Sequence, residues 1–199
     1  MRGILFVLSG PSGTGKGTVC KEVLEREDNL TISVSATTRE KRVGEVDGKT
    51  YHYVTKDDFE SMIDKGDMLE YALYNGNYYG TPRASIDELL DNGRDVLLEI
   101  EPQGALQVKK LYPEAVLVFL VPPSMQELKN RLLTRDRESK AEIDERIAAA
   151  KWELEQADKY TTLIENDGLE QCVCDVLDYI NLKRNQKNKI RSLINERLD

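Results

Sequence analysis

A junction near the start of the chain constrains its fold most. Five apolar residues, Ile4-Leu-Phe-Val-Leu8, run straight into Ser9-Gly-Pro-Ser-Gly-Thr-Gly-Lys-Gly-Thr18, and a helical pattern follows from about Gly15 to Arg26. A short continuous apolar run predicts a strand buried on both faces, which needs helices above and below it. Gly10, Gly15 and Lys16 fit the spacing G-x-x-x-x-G-K-[ST], in which backbone N–H groups and a lysine surround a polyphosphate at a helix N-terminus. The other reading, a plain glycine-rich turn between strand and helix, leaves the lysine unexplained. The last slot departs from the pattern. Gly17 stands where a metal-binding Ser or Thr hydroxyl is expected, and Thr18 comes one residue late.

The rest of the chain supports an α/β fold. Apolar runs at Val96–Ile100 and Val116–Val121, and a weaker one at Thr161–Ile164, alternate with helical stretches. These stretches are Ser85–Asn92, Gly104–Leu111, Ser124–Thr134 and Ala141–Asp158. Such alternation predicts a parallel sheet covered by helices on both faces, a three-layer core. Residues 31–83 break it. "TISVSATTR", "KTYHYVT" and "MLEYALYNGNYYGTP" alternate polar and apolar as short strands do, and Asn75-Gly76 signals a tight hairpin. A second interruption is an Arg-rich helical stretch from about Ser124 to Ala150. Within it, Ser139 to Glu142 has capping-box spacing ahead of Ile143, Ile147, Ala150 and Leu154. The expected division is a core of residues 1–33, 84–123 and 151–199, a β-rich insertion at 34–83 and a second, helical insertion at about 124–150. The Lys- and Arg-rich tail from Asn181 carries Ile190, Leu193 and Ile194 at helical spacing, as in a solvated amphipathic helix.

Charge narrows the partners. With 28 basic and 36 acidic residues the net charge is −8, which argues against a general nucleic-acid or membrane-surface binder. Three cysteines, Cys20, Cys172 and Cys174, with one histidine in the chain make a poor zinc site and read as free thiols of a reducing compartment. The first apolar run is too short for a secretion signal and no stretch is long enough to span a membrane, so a cytoplasmic protein is expected.

Gly17 weakens the case for a GTPase or a motor ATPase, whose loop hydroxyl holds Mg²⁺. The guanine-reading N-K-x-D is also missing: the only Asn-Lys pair, Asn188-Lys189, continues Ile190-Arg191, and no D-x-x-G occurs. The ending G-K-G-T resembles the loop of nucleoside monophosphate kinases, in which metal is held largely through water and phosphates. The acceptor side is then sought in the insertion. Arg39 and Arg42 in "SATTREKR" are spaced to clamp one phosphate, and Tyr51 and Tyr79 can add hydroxyl donors. The edge of guanine presents two adjacent donors that one carboxylate accepts, and Glu70 stands ahead of the hairpin with Thr81 behind it. Taken singly these residues also read as surface arginines, strand aromatics and a solvent-facing strand carboxylate. Their occurrence together distinguishes the two readings.

At this point the chain resembles guanylate kinase, through "GPSGTGKGT", "SATTREKR", "GEVDGKTYHYV", "EYALYNGNYYGTP", "LLEIEPQGA", "RLLTRDRES" and "IDERI", in the family's order across residues 3–182. The resemblance implies a P-loop core, a GMP-binding region and a lid, and the reaction ATP + GMP ⇌ ADP + GDP with Mg²⁺. It implies that Gly10, Pro11, Ser12, Gly13, Thr14, Gly15, Lys16, Gly17 and Thr18 bind ATP. It assigns guanine to Ser35, Glu70, Thr81 and Glu101, and the GMP phosphate to Arg39, Arg42, Tyr51 and Tyr79. Glu99 joins the acceptor site as the carboxylate for the metal's water shell, and Asn166 in "LIENDG" is a candidate for the adenine side. Lys16, Arg39, Arg131, Arg135 and Arg146 are the cations expected at the transferring phosphoryl group. Glu99, Glu101, Pro102, Gly17 and the lid's Arg135-Asp136-Arg137-Glu138 depart from the usual family residues. The rival readings are adenylate kinase or another monophosphate kinase, and a non-catalytic guanylate-kinase-like binding domain.

Overall fold

The computed structural model describes residues 1–74, 76–133 and 140–198. Its core elements are β1 (Leu5–Ser9), α1 (Lys16–Arg26) and β2 (Leu30–Ile32), followed after the insertion by α3 (Arg83–Asp91), β7 (Asp95–Glu99), α4 (Pro102–Leu111) and β8 (Val116–Val121). A helical pair follows, α5 (Met125–Leu133) and α6 (Lys140–Glu155), and then β9 (Thr162–Glu165) and α7 (Leu169–Leu198). The five core strands form a parallel sheet in the order β2-β7-β1-β8-β9, with Leu5 beside Val96 and Phe6 beside Val116.

Alternate residues of β1 serve the two faces. Phe6 and Leu8 pack with Val19 and Val23 of α1 and with Val173 and Val176 of α7. Leu5 and Val7 pack with Ile86 and Leu90 of α3 and with Ala105 and Val108 of α4. Full burial of each such side chain contributes about 1.5–3 kcal/mol. The neighbours β1 and β7 therefore send their following helices, α1 and α4, to opposite faces. A crevice opens where two such strands end, and the glycine-rich loop and Glu99 both sit there.

The insertion is a four-stranded sheet in the order β4 (His52–Tyr53), β3 (Ala36–Thr37), β6 (Asn77–Pro82), β5 (Met68–Tyr74). It also holds a helix, α2 (Lys56–Asp64), where the sequence reading placed only strands and connections. Thr55 caps α2 by accepting the N–H of Asp58, and Phe59 stacks on Tyr78 with ring centres 5.1 Å apart, so the short strands gain a core of their own. The strand expected in "KTYHYVT" is only two residues long, because the flanking chain is consumed by turns. Leu69 of β5 reaches the main core, and Gln107 of α4 bonds both the N–H and the carbonyl of Tyr71, which docks the insertion on α4.

The basic tail continues α7. Arg184 pairs with Asp95 at 2.6 Å and Glu27 at 2.8 Å, and Lys187 donates to the carbonyls of Arg2 and Gly3. These two cations pin α7 to the sheet edge, and Ile190, Leu193 and Ile194 are exposed beyond them. All three cysteines are free; burial pushes the Cys20 thiol up to about 12 and Cys172 to about 11. Asn75 of the hairpin signal, the Ser139 cap, Arg135, Asp136, Arg137 and Glu138 lie outside the described residues.

Candidate active site

The loop between β1 and α1 is shaped by backbone that only glycine adopts freely. Gly10 and Gly15 have φ of +145° and +90°; a Cβ at Gly10 would meet the Leu120 carbonyl at 2.4 Å. Lys16 opens α1 and is buried, with Nζ donating to the carbonyls of Gly10 at 2.7 Å and Pro11 at 3.3 Å and pairing with Glu101 at 3.2 Å. The first α1 hydrogen bond runs from Val19 N to Gly15 O, so the N–H groups ahead of it are directed outward as a helix N-terminus. A cavity of about 350 Å³ lies in front of them, lined by Ser12, Gly13, Gly15, Lys16, Gly17 and Thr18 of the loop and by Glu99 and Glu101. Asn166 lies behind the loop: its amide donates to the Thr14 carbonyl at 2.7 Å and its own carbonyl accepts from Arg131. Asn166, considered for the adenine side, is thus bonded to the loop backbone, and Arg131, expected at the transferring phosphoryl group, also pairs with Glu127.

Gly17 faces a carboxylate. A Cβ there would stand 3.3 Å from Oε1 of Glu99. The space that a serine side chain would enter is bordered by an acceptor belonging to β7. Loss of hydration pushes the Glu99 carboxyl upward, Lys16 opposes this, and the nearby Glu101 charge adds to it.

A larger cavity of about 700 Å³ adjoins the loop and shares Ser12, Lys16, Glu99 and Glu101 with the smaller one. Its far wall comes from the insertion: Ser35, Tyr51, Glu70 and Tyr79. A shift of register between Met68 and Glu70 turns Glu70 inward, directly opposite Thr81. Glu70 is 6% exposed and accepts the Thr81 hydroxyl at Oε1, 2.7 Å away. The fully buried Thr81 hydroxyl is thus spent on Glu70 and does not line the cavity. Burial pushes the Glu70 carboxyl up, and the bonds from Thr81 offset part of that. Oε2 faces Gly104 in the first turn of α4, where a Cβ would lie only 2.8 Å away. One buried carboxylate therefore points into the cavity with acceptor capacity left over, a fit for two adjacent donors.

The segment of Arg39 and Arg42 converges on a residue absent from the sequence expectations. Glu45 accepts from the Arg39 guanidinium at 2.7 Å, from the Arg42 N–H at 2.7 Å and from the Tyr53 hydroxyl at 2.8 Å. The Arg39 hydrogen bond, first among these, holds the Glu45 carboxyl down at about 2. Arg39 lies over the rings of Tyr51 and Tyr53, and Tyr51 meets Tyr79 edge to face at 5.9 Å. Arg42 is exposed at the rim. The sequence signal for Glu45 was present in "GEVDGKTYHYV", but only folding brings its carboxylate against the Arg39 guanidinium and the Arg42 N–H.

Residues 2–183 match the guanylate kinase family model. The chain belongs to the guanylate kinase family. It is similar to the guanylate kinase of Clostridioides difficile, at 46% identity with 98% of this chain and 96% of that protein covered. It is also similar to that of Oceanobacillus iheyensis, at 50% identity with 95% and 92% covered. A crystal structure of guanylate kinase from Anaplasma phagocytophilum matches it with a TM-score of 0.72 at 32% identity, covering 92% of this chain and 86% of that one.

Helix α6 closes the cavity from the side opposite the insertion. Arg146 donates to the Ser12 hydroxyl and joins Ala149, Trp152 and Glu153 in the cavity wall. α6 is held to α5 by Ala150 and Ile147 against Leu128 and Leu132. Glu153 has its carboxyl pushed up by burial and by the Glu101 charge, and its Oε2 has no hydrogen-bond partner. Sequence reasoning passed over Trp152, Glu153, Gln103 and Gly104. None has a local signature, since each acquires its role only when α4 or α6 is brought against β5 and the loop.

Proposed function

We propose that this chain transfers the γ-phosphoryl group of ATP to GMP, giving ADP and GDP. The observation that carries the reading is the pair of joined cavities: a lysine-bearing phosphate loop on one side, a buried Glu70 carboxylate on the other, with Lys16, Glu99 and Glu101 common to both. The donor polyphosphate binds against the loop N–H groups, with Lys16 leaving Glu101 and the loop carbonyls for the β and γ oxygens. Guanine gives its ring N–H and amino group to Glu70, whose Oε1 is steadied by Thr81. The GMP phosphate binds to Arg39, Arg42, Tyr51 and Tyr79, and Ser35 completes the acceptor wall. A phosphate is already a nucleophile, so positioning and charge neutralisation suffice, without a covalent intermediate on the protein.

The site fits Mg²⁺ held mainly by phosphates and water. Among the described residues no three His, Cys, Asp or Glu side chains cluster to bind a metal directly, while Glu99 stands beside Gly17 to accept from a water shell. Bound Mg²⁺ supplies charge neutralisation of the donor phosphates. Arg146 reaches the mouth of the loop through Ser12, and α6 over the cavity excludes water that would otherwise take the phosphoryl group. Asn166 and Arg131 serve by bracing the loop. Arg135 is assigned to the same charge-neutralising set on the family resemblance. A role in purine nucleotide recycling in the cytoplasm accords with unpaired cysteines and with the lack, among the described residues, of a helix long and apolar enough to cross a membrane.

The test is ADP formation with ATP and GMP, AMP, UMP or no acceptor. Fast turnover with GMP alone is expected. Equal rates with AMP would support a monophosphate kinase of other specificity, and no turnover with any acceptor would support a binding domain that lacks catalysis.

A further inference from the structure

α6 buries one face and turns another to the ligand cavity. Ile143, Ile147 and Ala150 form the buried side. Trp152 is off that stripe, roughly on the opposite side of the helix at 3.6 residues per turn. It is 49% exposed and is the only tryptophan in the chain. It lines the 700 Å³ cavity with Glu70, Ser35 and Tyr79, and it does not line the smaller loop cavity. Its half-exposure is not that of a stray surface ring, because the same helix also brings Arg146, bonded to Ser12, and Ala149 and Glu153 to the cavity wall. Across the cavity the insertion presents Leu73 and Tyr74, 62% and 67% exposed. The acceptor pocket thus has a polar floor suited to a base edge, and large apolar side chains on two facing walls.

We propose that Trp152 is a substrate-contacting residue: it forms the lid-side wall of the acceptor pocket and packs on the nucleoside of the bound monophosphate. This rests on the reading that GMP occupies the larger cavity. A purine offers an apolar face that hydrogen bonding to Glu70 at its edge leaves uncovered, and an indole is the side chain that covers the most such area. The contact links acceptor binding to the position of α6, so the lid is drawn down by the acceptor nucleoside as well as by phosphate charge. Base–aromatic contacts lose about 5- to 100-fold in binding when the ring is truncated to Ala, and a half-exposed ring belongs near the lower part of that range.

Because the chain has one tryptophan, its emission reports on this residue alone. Wild-type enzyme is titrated with GMP, and separately with a non-hydrolysable ATP analogue and Mg²⁺, while tryptophan emission is recorded. Steady-state kinetics are measured for wild type, Trp152→Ala and Trp152→Phe, with thermal melting of each to confirm folding. Expected are a saturable emission change with GMP, a much smaller one with the ATP analogue, a KM for GMP about tenfold higher in Trp152→Ala, substantial rescue in Trp152→Phe, and a KM for ATP within about twofold. An emission change with GMP but an unaltered KM for GMP in Trp152→Ala would mean that Trp152 only reports lid movement, which overturns the contact. A rise in the KM for ATP alone would move the residue to the donor side and overturn it as well. Failure of the wild type to use GMP would strike the functional reading itself, and it shows in the unmodified enzyme.

Discussion

Gly104→Ala isolates the geometry around Glu70. The glycine lies in the first turn of α4, and its Cα faces the Glu70 carboxylate so closely that a Cβ would stand 2.8 Å from Oε2, 3.4 Å from Cδ and 3.5 Å from Cγ. Ordinary contact requires Oε2 to retreat by roughly half an ångström, and Glu70 cannot do so freely because Oε1 is tied to Thr81 and the side chain is buried. A charge-assisted hydrogen bond contributes about 1.5–3 kcal/mol, so spoiling one of the two guanine bonds lowers kcat/KM for GMP by about 10- to 100-fold. The added methyl group favours the helix by up to about 1 kcal/mol relative to Gly, which offsets part of the cost of displacing the buried Glu70 carboxylate. Steady-state kinetics with GMP and ATP read the effect, and a thermal melt confirms that the variant folds. Loss of GMP efficiency in a folded variant with the KM for ATP unchanged is the expected pattern. In a Glu70→Gln background the same substitution should cost little more, since both act through one carboxylate. Unaltered GMP kinetics in the single variant would refute the reasoning, and equal losses for ATP would relocate the effect to the loop.

Lys16→Ala should lower turnover by several orders of magnitude and leave GMP binding, measured by calorimetry, nearly intact, because Lys16 borders both cavities but its Nζ is held at the loop carbonyls of Gly10 and Pro11, on the donor side. Near-normal turnover would contradict the loop assignment. Gly17→Ser should retain activity, with the new hydroxyl hydrogen-bonded to Glu99, whose Oε1 is 3.3 Å from the Cβ position; a crystal structure with an ATP analogue and Mg²⁺ tests this, and a direct bond from Thr18 to the metal would overturn the water-mediated account. Burial raises the Glu70 carboxyl above its ordinary value in the folded chain, so its charge costs stability at pH above that raised value and nothing below the ordinary carboxylate range. Ligand-free Glu70→Gln should therefore melt higher than wild type at pH 8, with the advantage shrinking on acidification; an advantage that grows on acidification would reverse the sign.

The apolar runs of β1, β7 and β8 made the core legible, because strands buried on both faces must be continuously hydrophobic. The phosphate loop was legible because its geometry needs glycine at fixed places. α2 was not, since the helix from Lys56 to Asp64 stands among short alternating strands, and its one clear mark is the Thr55 cap bonded to Asp58. Ser35, Tyr51, Glu70 and Tyr79 were read as one acceptor site, and the cavity brings them together. Thr81 and Asn166 were read as ligand contacts; without a ligand the Thr81 hydroxyl donates to Glu70 and the Asn166 amide to the Thr14 carbonyl. Glu45 and Gly104 were not singled out for the same physical reason. One matters for the hydrogen-bond donors it gathers and the other for the side chain it lacks, and both roles appear only after folding.

Guanine recognition by Glu70 is the centre of the account, and the kinetics of Glu70→Gln with GMP and AMP, set beside Arg39→Ala, test it most directly. Glu70→Gln replaces half of a carboxylate with a donor that faces a guanine donor, so kcat/KM for GMP should fall by about 10²-fold or more while the KM for ATP hardly moves. The preference for GMP over AMP should narrow accordingly. Arg39→Ala should weaken both monophosphates alike, because that side chain belongs to the phosphate clamp. A GMP-to-AMP preference left unchanged in Glu70→Gln would contradict the account, and Glu70 would then be a buried strand carboxylate with no part in choosing the base.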